Sequence, residues 1–252
     1  ADTVSMSGVL LTSQNHKTVK KILILSANPK DSSKSRLDKE VREIQGALKR
    51  AKNREQFEIV TEWAVRIDDL RRALLDHQPT IVHCAGNRSG YDGLVLENQT
   101  GEAQLVSSQS LARLFQSFQE KIECVVLNAC YSEAQAEAIY QHINCVIGMN
   151  QAIGDEAAIA FAVGFYDALG AGYSYNHCYD IGCASVDLEG IPESTTPVLK
   201  FRPQLSQEEN KQENQANQES ITQPHNSITQ TFGNDSIGFG SIGSAGNINI
   251  QR

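Results

Sequence analysis

Ile81-Val-His-Cys-Ala-Gly86 and Val125-Val-Leu-Asn-Ala-Cys-Tyr-Ser132 are two short apolar runs that each give way to polar and reactive residues. Runs of this length without helical spacing read as strands buried on both faces, the kind found inside a parallel sheet. Pro79 cannot continue a helix, so it ends the segment before it and opens the first of these strands over Thr80–Cys84. The second spans Glu123–Asn128. The rest of the chain is arranged around this pair.

Working toward the N-terminus, Ile22-Leu-Ile-Leu25 is another doubly buried strand. Leu37, Val41, Ile44 and Leu48 then form one stripe of a 3.6-residue repeat, with Lys39, Arg42, Glu43 and Lys49 left to solvent and Ser33 or Ser35 as the cap. Phe57–Trp63 alternates as a strand, and Ile67, Leu70, Leu74 and Leu75 mark the helix after it. Toward the C-terminus, Gly93–Glu97 and Gln104–Val106 flank the turn-rich Asn98–Gly101 and predict a small hairpin. A helix carries Leu111, Leu114, Phe115 and Phe118, a short helix follows over Glu133–Gln141, and a fifth strand runs Ile143–Met149. A long helix starts near Asp155, turns Ala158, Phe161, Ala162, Phe165 and Leu169 inward, and ends at Gly170 and Gly172. Regular β/α alternation of this kind predicts an α/β fold whose mostly parallel sheet is covered on both faces.

The chain has 252 residues, 40% of them apolar and 21% charged, which suits one α/β domain with an appendage. Residues 1–20 read as a leader, 21–200 as the domain and 201–252 as a tail. No uninterrupted apolar run reaches the length of a membrane span, and the opening residues lack the charged and apolar regions of a signal peptide. A net charge of −8 without a Lys/Arg stripe argues against nucleic acid as a partner. The six cysteines form no C-x-x-C pair, which predicts reduced thiols in a cytoplasm. His177, Cys178 and Cys183 lack the spacing of a zinc site, and no glycine-rich loop matches a nucleotide-binding pattern, so neither metal nor cofactor is expected.

Ligands and catalytic groups of an open parallel sheet gather beyond the carboxyl ends of its strands. Two such ends carry distinctive residues here, His83-Cys-Ala-Gly-Asn-Arg88 and Asn128-Ala-Cys130. If those strands are neighbours, the loop at Asn87 faces the Cys130 thiol. Cys130 also precedes a helix N-terminus, whose partial positive charge favours the thiolate that nucleophilic catalysis needs. A small buried hydrophobe is the plain alternative for any one cysteine.

Five stretches, taken in order, resemble a CHAT domain, the prokaryotic branch of the caspase and separase superfamily of cysteine peptidases. They are Ile22–Asn28, Ile81–Gly86, Asp92–Glu97, Val125–Ser132, and Ile147–Met149 with Ile153–Ala158. The resemblance covers Lys21 to Lys200. It implies a caspase-like three-layer sandwich, a bacterial source, a peptide or protein substrate, and a nucleophile at Cys130. The family pairs that nucleophile with a histidine in a His-x-x-Gly-His-Gly run, in which His83 takes the first place and Gly86 the glycine. The catalytic histidine falls on Asn87 and its following glycine on Arg88. An amide exchanges no proton near neutral pH, so Asn87 cannot serve as a general base. Arg88 keeps an N–H for the oxyanion, beside Cys130, but not a glycine's conformational freedom. His83 is the one nearby substitute. Relatives that cleave after Arg carry an acid at the place of Ala152, leaving Asp155 as the nearest carboxylate for a substrate pocket; on its own, Asp155 reads as a helix N-cap.

Gln, Asn, Ser and Gly fill 26 of the 52 positions of the tail, too polar a composition to build a core. Ser-Ile-Thr-Gln occurs at 220–223 and 227–230, Ser-Ile-Gly at 236–238 and 241–243, and Asn-Ile-Asn-Ile at 247–250. One reading is a tether. The other is self-association through Ile221, Ile228, Ile237, Ile242, Ile248 and Ile250 in cross-β stacks, which low charge and Asn/Gln ladders favour. The combined expectation is a degenerate caspase-like domain that assembles through its tail, with an active endopeptidase switched on by clustering as its rival.

Overall fold

The computed structural model describes residues 19–27, 37–86 and 93–203. The caps Ser33 and Ser35, the positions Asn87 and Arg88, most of the leader and the six tail isoleucines lie outside the described residues. The chain divides after Gln204, and every described residue belongs to the first part.

Six strands form one sheet in the order β2 (Phe57–Trp63), β1 (Lys20–Ser26), β3 (Ile81–Ala85), β6 (Cys124–Asn128), β7 (Cys145–Met149), β8 (Pro197–Phe201). The first five are parallel and β8 pairs antiparallel with β7. Strands β4 (Val95–Glu97) and β5 (Ala103–Leu105) form the separate hairpin expected around Asn98–Gly101. Pairing of β3 with β6 sets His83 against Val126 and Ala85 against Asn128, which makes the two decisive strands neighbours.

Alternation along each strand sends successive side chains to opposite faces. Ile22, Ile24, Ile81 and Val126 meet helices α1 (Leu37–Arg50), α5 (Asp155–Ala171) and α6 (Tyr175–Leu188) on one face. Leu23, Leu25, Val82 and Leu127 meet α2 (Ile67–His77), α3 (Ser108–Gln116) and α4 (Glu133–Tyr140) on the other. The stripe Leu37, Val41, Ile44 and Leu48 is buried as its spacing predicts. Phe161, Phe165 and Tyr166 of α5 are fully enclosed, each burial contributing about 1.5–3 kcal/mol.

Besides a single 3-10 turn over Arg54–Gln56, the structure adds a helix and a strand to the sequence reading. Helix α6 follows the α5 cap at Gly172, whose φ of +95° suits glycine, and strand β8 extends the sheet past its fifth parallel member. Asp155 is the first residue of α5 and Gly154 its N-cap, one position from the cap expected at Asp155. Among the described residues no helix is long and apolar enough to cross a membrane.

Candidate active site

The carboxyl ends of β3, β6 and β7 converge on a sharp turn, Ala129–Ser132, between β6 and α4. Tyr131 holds a left-handed φ of +53°, a conformation that costs a side-chain-bearing residue about 1–2 kcal/mol. Several bonds hold this turn in place. Tyr131 N–H donates to Gln151 O, and the Ser132 hydroxyl donates to Leu127 O at 2.9 Å while accepting from Met149 N–H at 3.0 Å. Gly148 lets β7 approach, since a Cβ there would lie 2.8 Å from Ala136 Cβ and 3.0 Å from Ser132 O.

Cys130 sits at the crest of this turn, 2% exposed. Its sulfur accepts from Ile153 N–H at 3.4 Å and faces Ile153 O at 3.8 Å. The loop carrying Ala152 and Asp155 therefore borders the thiol, with Ala152 exposed and Asp155 half-buried. Glu193, in the turn before β8, accepts from Gly154 N–H at 2.7 Å and so brings a second carboxylate to that loop.

Gly86 and Gly93 both abut the same turn. Gly86 donates its N–H to Asn128 O, and a Cβ on it would lie 2.7 Å from Ala129 Cβ. Gly93, with a φ of +120°, donates to Cys130 O at 2.9 Å. Gln135 of α4 fastens the returning strand, accepting from Leu94 N–H and donating to Val106 O at 2.6 Å. The chain thus leaves β3 and returns to the hairpin beside Cys130.

His83 is fully buried on the face toward α1 and α5. Its Nε2 lies 2.9 Å from Glu40 Oε1, and its Nδ1 lies 3.2 Å from the Tyr166 hydroxyl. Glu40 Oε1 also accepts from Asn128 Nδ2 at 2.6 Å, and the same Nδ2 donates to Ala158 O at 3.1 Å. One buried cluster therefore joins α1, β3, α5 and the end of β6 directly behind the Cys130 turn. Turning the imidazole toward the thiol would break both of its bonds and remove a donor from a buried carboxylate, which costs several kcal/mol. Among the described residues, the hydrogen bonds of the Cys130 sulfur run to Ile153 and none to a histidine.

Glu40, Tyr166 and Gln135 were not singled out in the sequence. Glu40 had a signal: it lies three residues after Leu37 and four before Ile44, on the inward stripe of α1. Tyr166 and Gln135 offered none, since each depends on a partner brought near by the fold. Among the described residues no cluster of three or more His, Cys, Asp or Glu is placed to hold a metal ion. His177 instead stacks on Tyr173 with ring centroids 4.5 Å apart.

Comparison with known proteins bears on the family and the fold. Residues 3–177 match the CHAT domain. A probable protease of Gillisia limnaea is 27% identical over 157 residues, 62% of this chain and 28% of that protein. A Roc-COR-CHAT protease of an unknown prokaryotic organism is 31% identical over 159 residues, 60% of this chain and 15% of that protein. The chain thus spans under a third of the length of these relatives. Among solved structures, a secreted C11 cysteine protease from Bacteroides thetaiotaomicron, bound to an irreversible peptide inhibitor, superposes with a TM-score of 0.51. It is 13% identical, covering 68% of this chain and 59% of that one, a likeness of fold.

Proposed function

The chain belongs to the CHAT domain family, and we propose that it is a caspase-like domain which keeps the nucleophile Cys130 but lacks an efficient general base, working through assembly rather than rapid peptide hydrolysis. The observation that carries this reading is the position of His83. Both of its ring nitrogens are engaged, by Glu40 and by Tyr166, so the histidine of β3 is occupied in the core. The position beyond Gly86 that holds the family's acid/base histidine is Asn87. Loss of such a group removes a factor of about 10² to 10⁴ in rate.

Reverting the site tests the reading. Asn87→His combined with Arg88→Gly should raise cleavage of a random peptide library by about 10² or more. Cys130→Ala in that background should abolish the gain. A double variant that folds and cleaves no faster than the original chain contradicts the proposal.

Assembly is assigned to the Ser-Ile repeats of residues 201–252, in which isoleucines recur in a low-charge Asn/Gln/Ser/Gly background. A chain ending after Pro203, which keeps β8 whole, should stay monomeric while the full chain forms thioflavin-positive fibres. Ile237→Asp or Ile242→Asp in the full chain should block fibres, because stacking would repeat a like charge about every 4.8 Å. Identical behaviour of the full and shortened chains would make the tail a tether. The rival reading, an endopeptidase activated by clustering, rests on retention of Cys130. It requires cleavage by the unmodified chain that depends on that cysteine.

A further inference from the structure

At the end of the sheet away from Cys130, two other thiols meet. Cys124 opens β6 and Cys145 opens β7, and they are register partners on neighbouring parallel strands. The Cys124 thiol donates to Cys145 Sγ with the sulfurs 3.4 Å apart. Cys178 packs into the same cluster but directs its thiol to Tyr173 O, and Cys84 lies on the opposite face of the sheet. The two sulfurs are therefore each other's thiol partners.

Cys145 also borders a cavity of about 270 Å³, walled by Lys20, Glu123, Tyr175 and Arg202 among others. Tyr173, 55% exposed, lies at its rim, so the cavity reaches solvent. Burial, and then the bond to Cys145, hold the Cys124 thiol well above the ordinary thiol range, so Cys124 keeps its proton and offers it to its neighbour.

We propose that Cys124 and Cys145 are a redox pair that hydrogen peroxide converts to a disulfide. The Cys145 sulfur attacks one peroxide oxygen as its own proton leaves, the O–O bond breaks, and the departing hydroxide takes up that Cys145 proton as water. That leaves a sulfenic acid on Cys145. Cys124 sulfur attacks it, the S–O bond breaks, and the oxygen leaves as a second water with the Cys124 proton. Two thiols and one peroxide become one disulfide and two waters; sulfur is oxidised and peroxide oxygen reduced. Neighbouring strands lie about 4.8 Å apart, inside the Cα separation of about 4.4–6.8 Å that a disulfide accepts. The sulfurs need only close from 3.4 Å to about 2.05 Å. The link would tie the two strands whose far ends carry Cys130 and its neighbour Ile153.

The test uses the full chain, reduced, freed of reductant and titrated with hydrogen peroxide under native conditions, followed by digestion without reduction and mass spectrometry. The expected product is a Cys124–Cys145 linked peptide lighter by two hydrogens, reversed by dithiothreitol, while near-ultraviolet circular dichroism stays native. Cys145→Ser or, independently, Cys124→Ala removes the linked peptide. Cys130→Ala leaves it in place, which separates this result from the fate of the proposed function. Oxidation confined to oxygen adducts on other cysteines overturns the proposal. So does a link that forms only once the dichroism shows unfolding.

Discussion

Asn128→Asp exchanges one heavy atom, Nδ2 for an oxygen, at the junction of β6 with the Cys130 turn and gives a signature that is easy to read. In the native cluster Nδ2 donates to Glu40 Oε1 at 2.6 Å and to Ala158 O at 3.1 Å. Oδ1 is buried and accepts no bond from any described residue, so the two acceptors facing Nδ2 set the orientation of the amide. The introduced aspartate turns an oxygen toward the carboxylate and the carbonyl. Two carboxylates this close cannot both ionise. Holding the required proton at pH 7, about three units above an ordinary carboxyl pKa, costs about 4 kcal/mol. The proton can bridge to Glu40 and offset part of that. The carboxyl pKa is raised in the folded state, so the variant's stability is present in acid and lost as pH rises. The gap between variant and parent should widen by about 1.4 kcal/mol per pH unit above the unfolded carboxyl pKa. Urea unfolding of both proteins between about pH 5 and about pH 8 measures it. A gap independent of pH would refute the assignment of Asn128 Nδ2 to the Glu40 carboxylate.

Other expectations follow from the same structure. Gly86→Ala places a Cβ 2.7 Å from Ala129 Cβ and 3.4 Å from Leu94 Cδ1, both enclosed, and should destabilise by about 1–3 kcal/mol in urea unfolding. Burial pushes the Cys84 thiol up to about 12 from 9.0. An unfolded thiol ionises first, so the stability this group contributes is intact below pH 9.0 and lost progressively toward about 12. The loss is about 1.4 kcal/mol per pH unit for this thiol. Cys84→Ala should flatten the alkaline limb of a thermal-melting profile by that share. Gln135→Ala leaves the Leu94 N–H without its side-chain acceptor and the Val106 carbonyl without its donor, and should cost about 1–3 kcal/mol in urea unfolding.

The parallel strands were legible because burial on both faces leaves nearly unbroken apolar runs, as in Ile22–Leu25 and Val125–Leu127. The hairpin was legible from its turn residues, and α1 from a stripe with one period. Helix α6 was not, because its fit is tertiary: Gly182 lies so near the Phe161 ring that a Cβ would come within 2.8 Å of it. Strand β8 begins at Pro197 and joins the sheet antiparallel, and Lys200 on it pairs with Glu133 and Glu137 of α4, a contact made only on folding. Its paired carboxylates raise the Lys200 pKa, the Glu137 bond most.

At the site, the position of Cys130 after a strand could be read directly, whereas Ala152 and Asp155 came in only through the resemblance, and it took the fold to bring their loop against the thiol. The engagement of His83 could not. A histidine inside a strand has two free nitrogens on paper, and only the approach of α1 and α5 shows what each one meets. Glu193 escaped notice because its turn reaches Gly154 across 39 positions of sequence.

The most direct test is the rate at which the unmodified full chain cleaves a random peptide library, compared with Cys130→Ala prepared in parallel. With the β3 imidazole bound to Glu40 and Tyr166, the two proteins should release fragments at indistinguishable rates. Sustained turnover by the unmodified chain that disappears in Cys130→Ala would contradict the account.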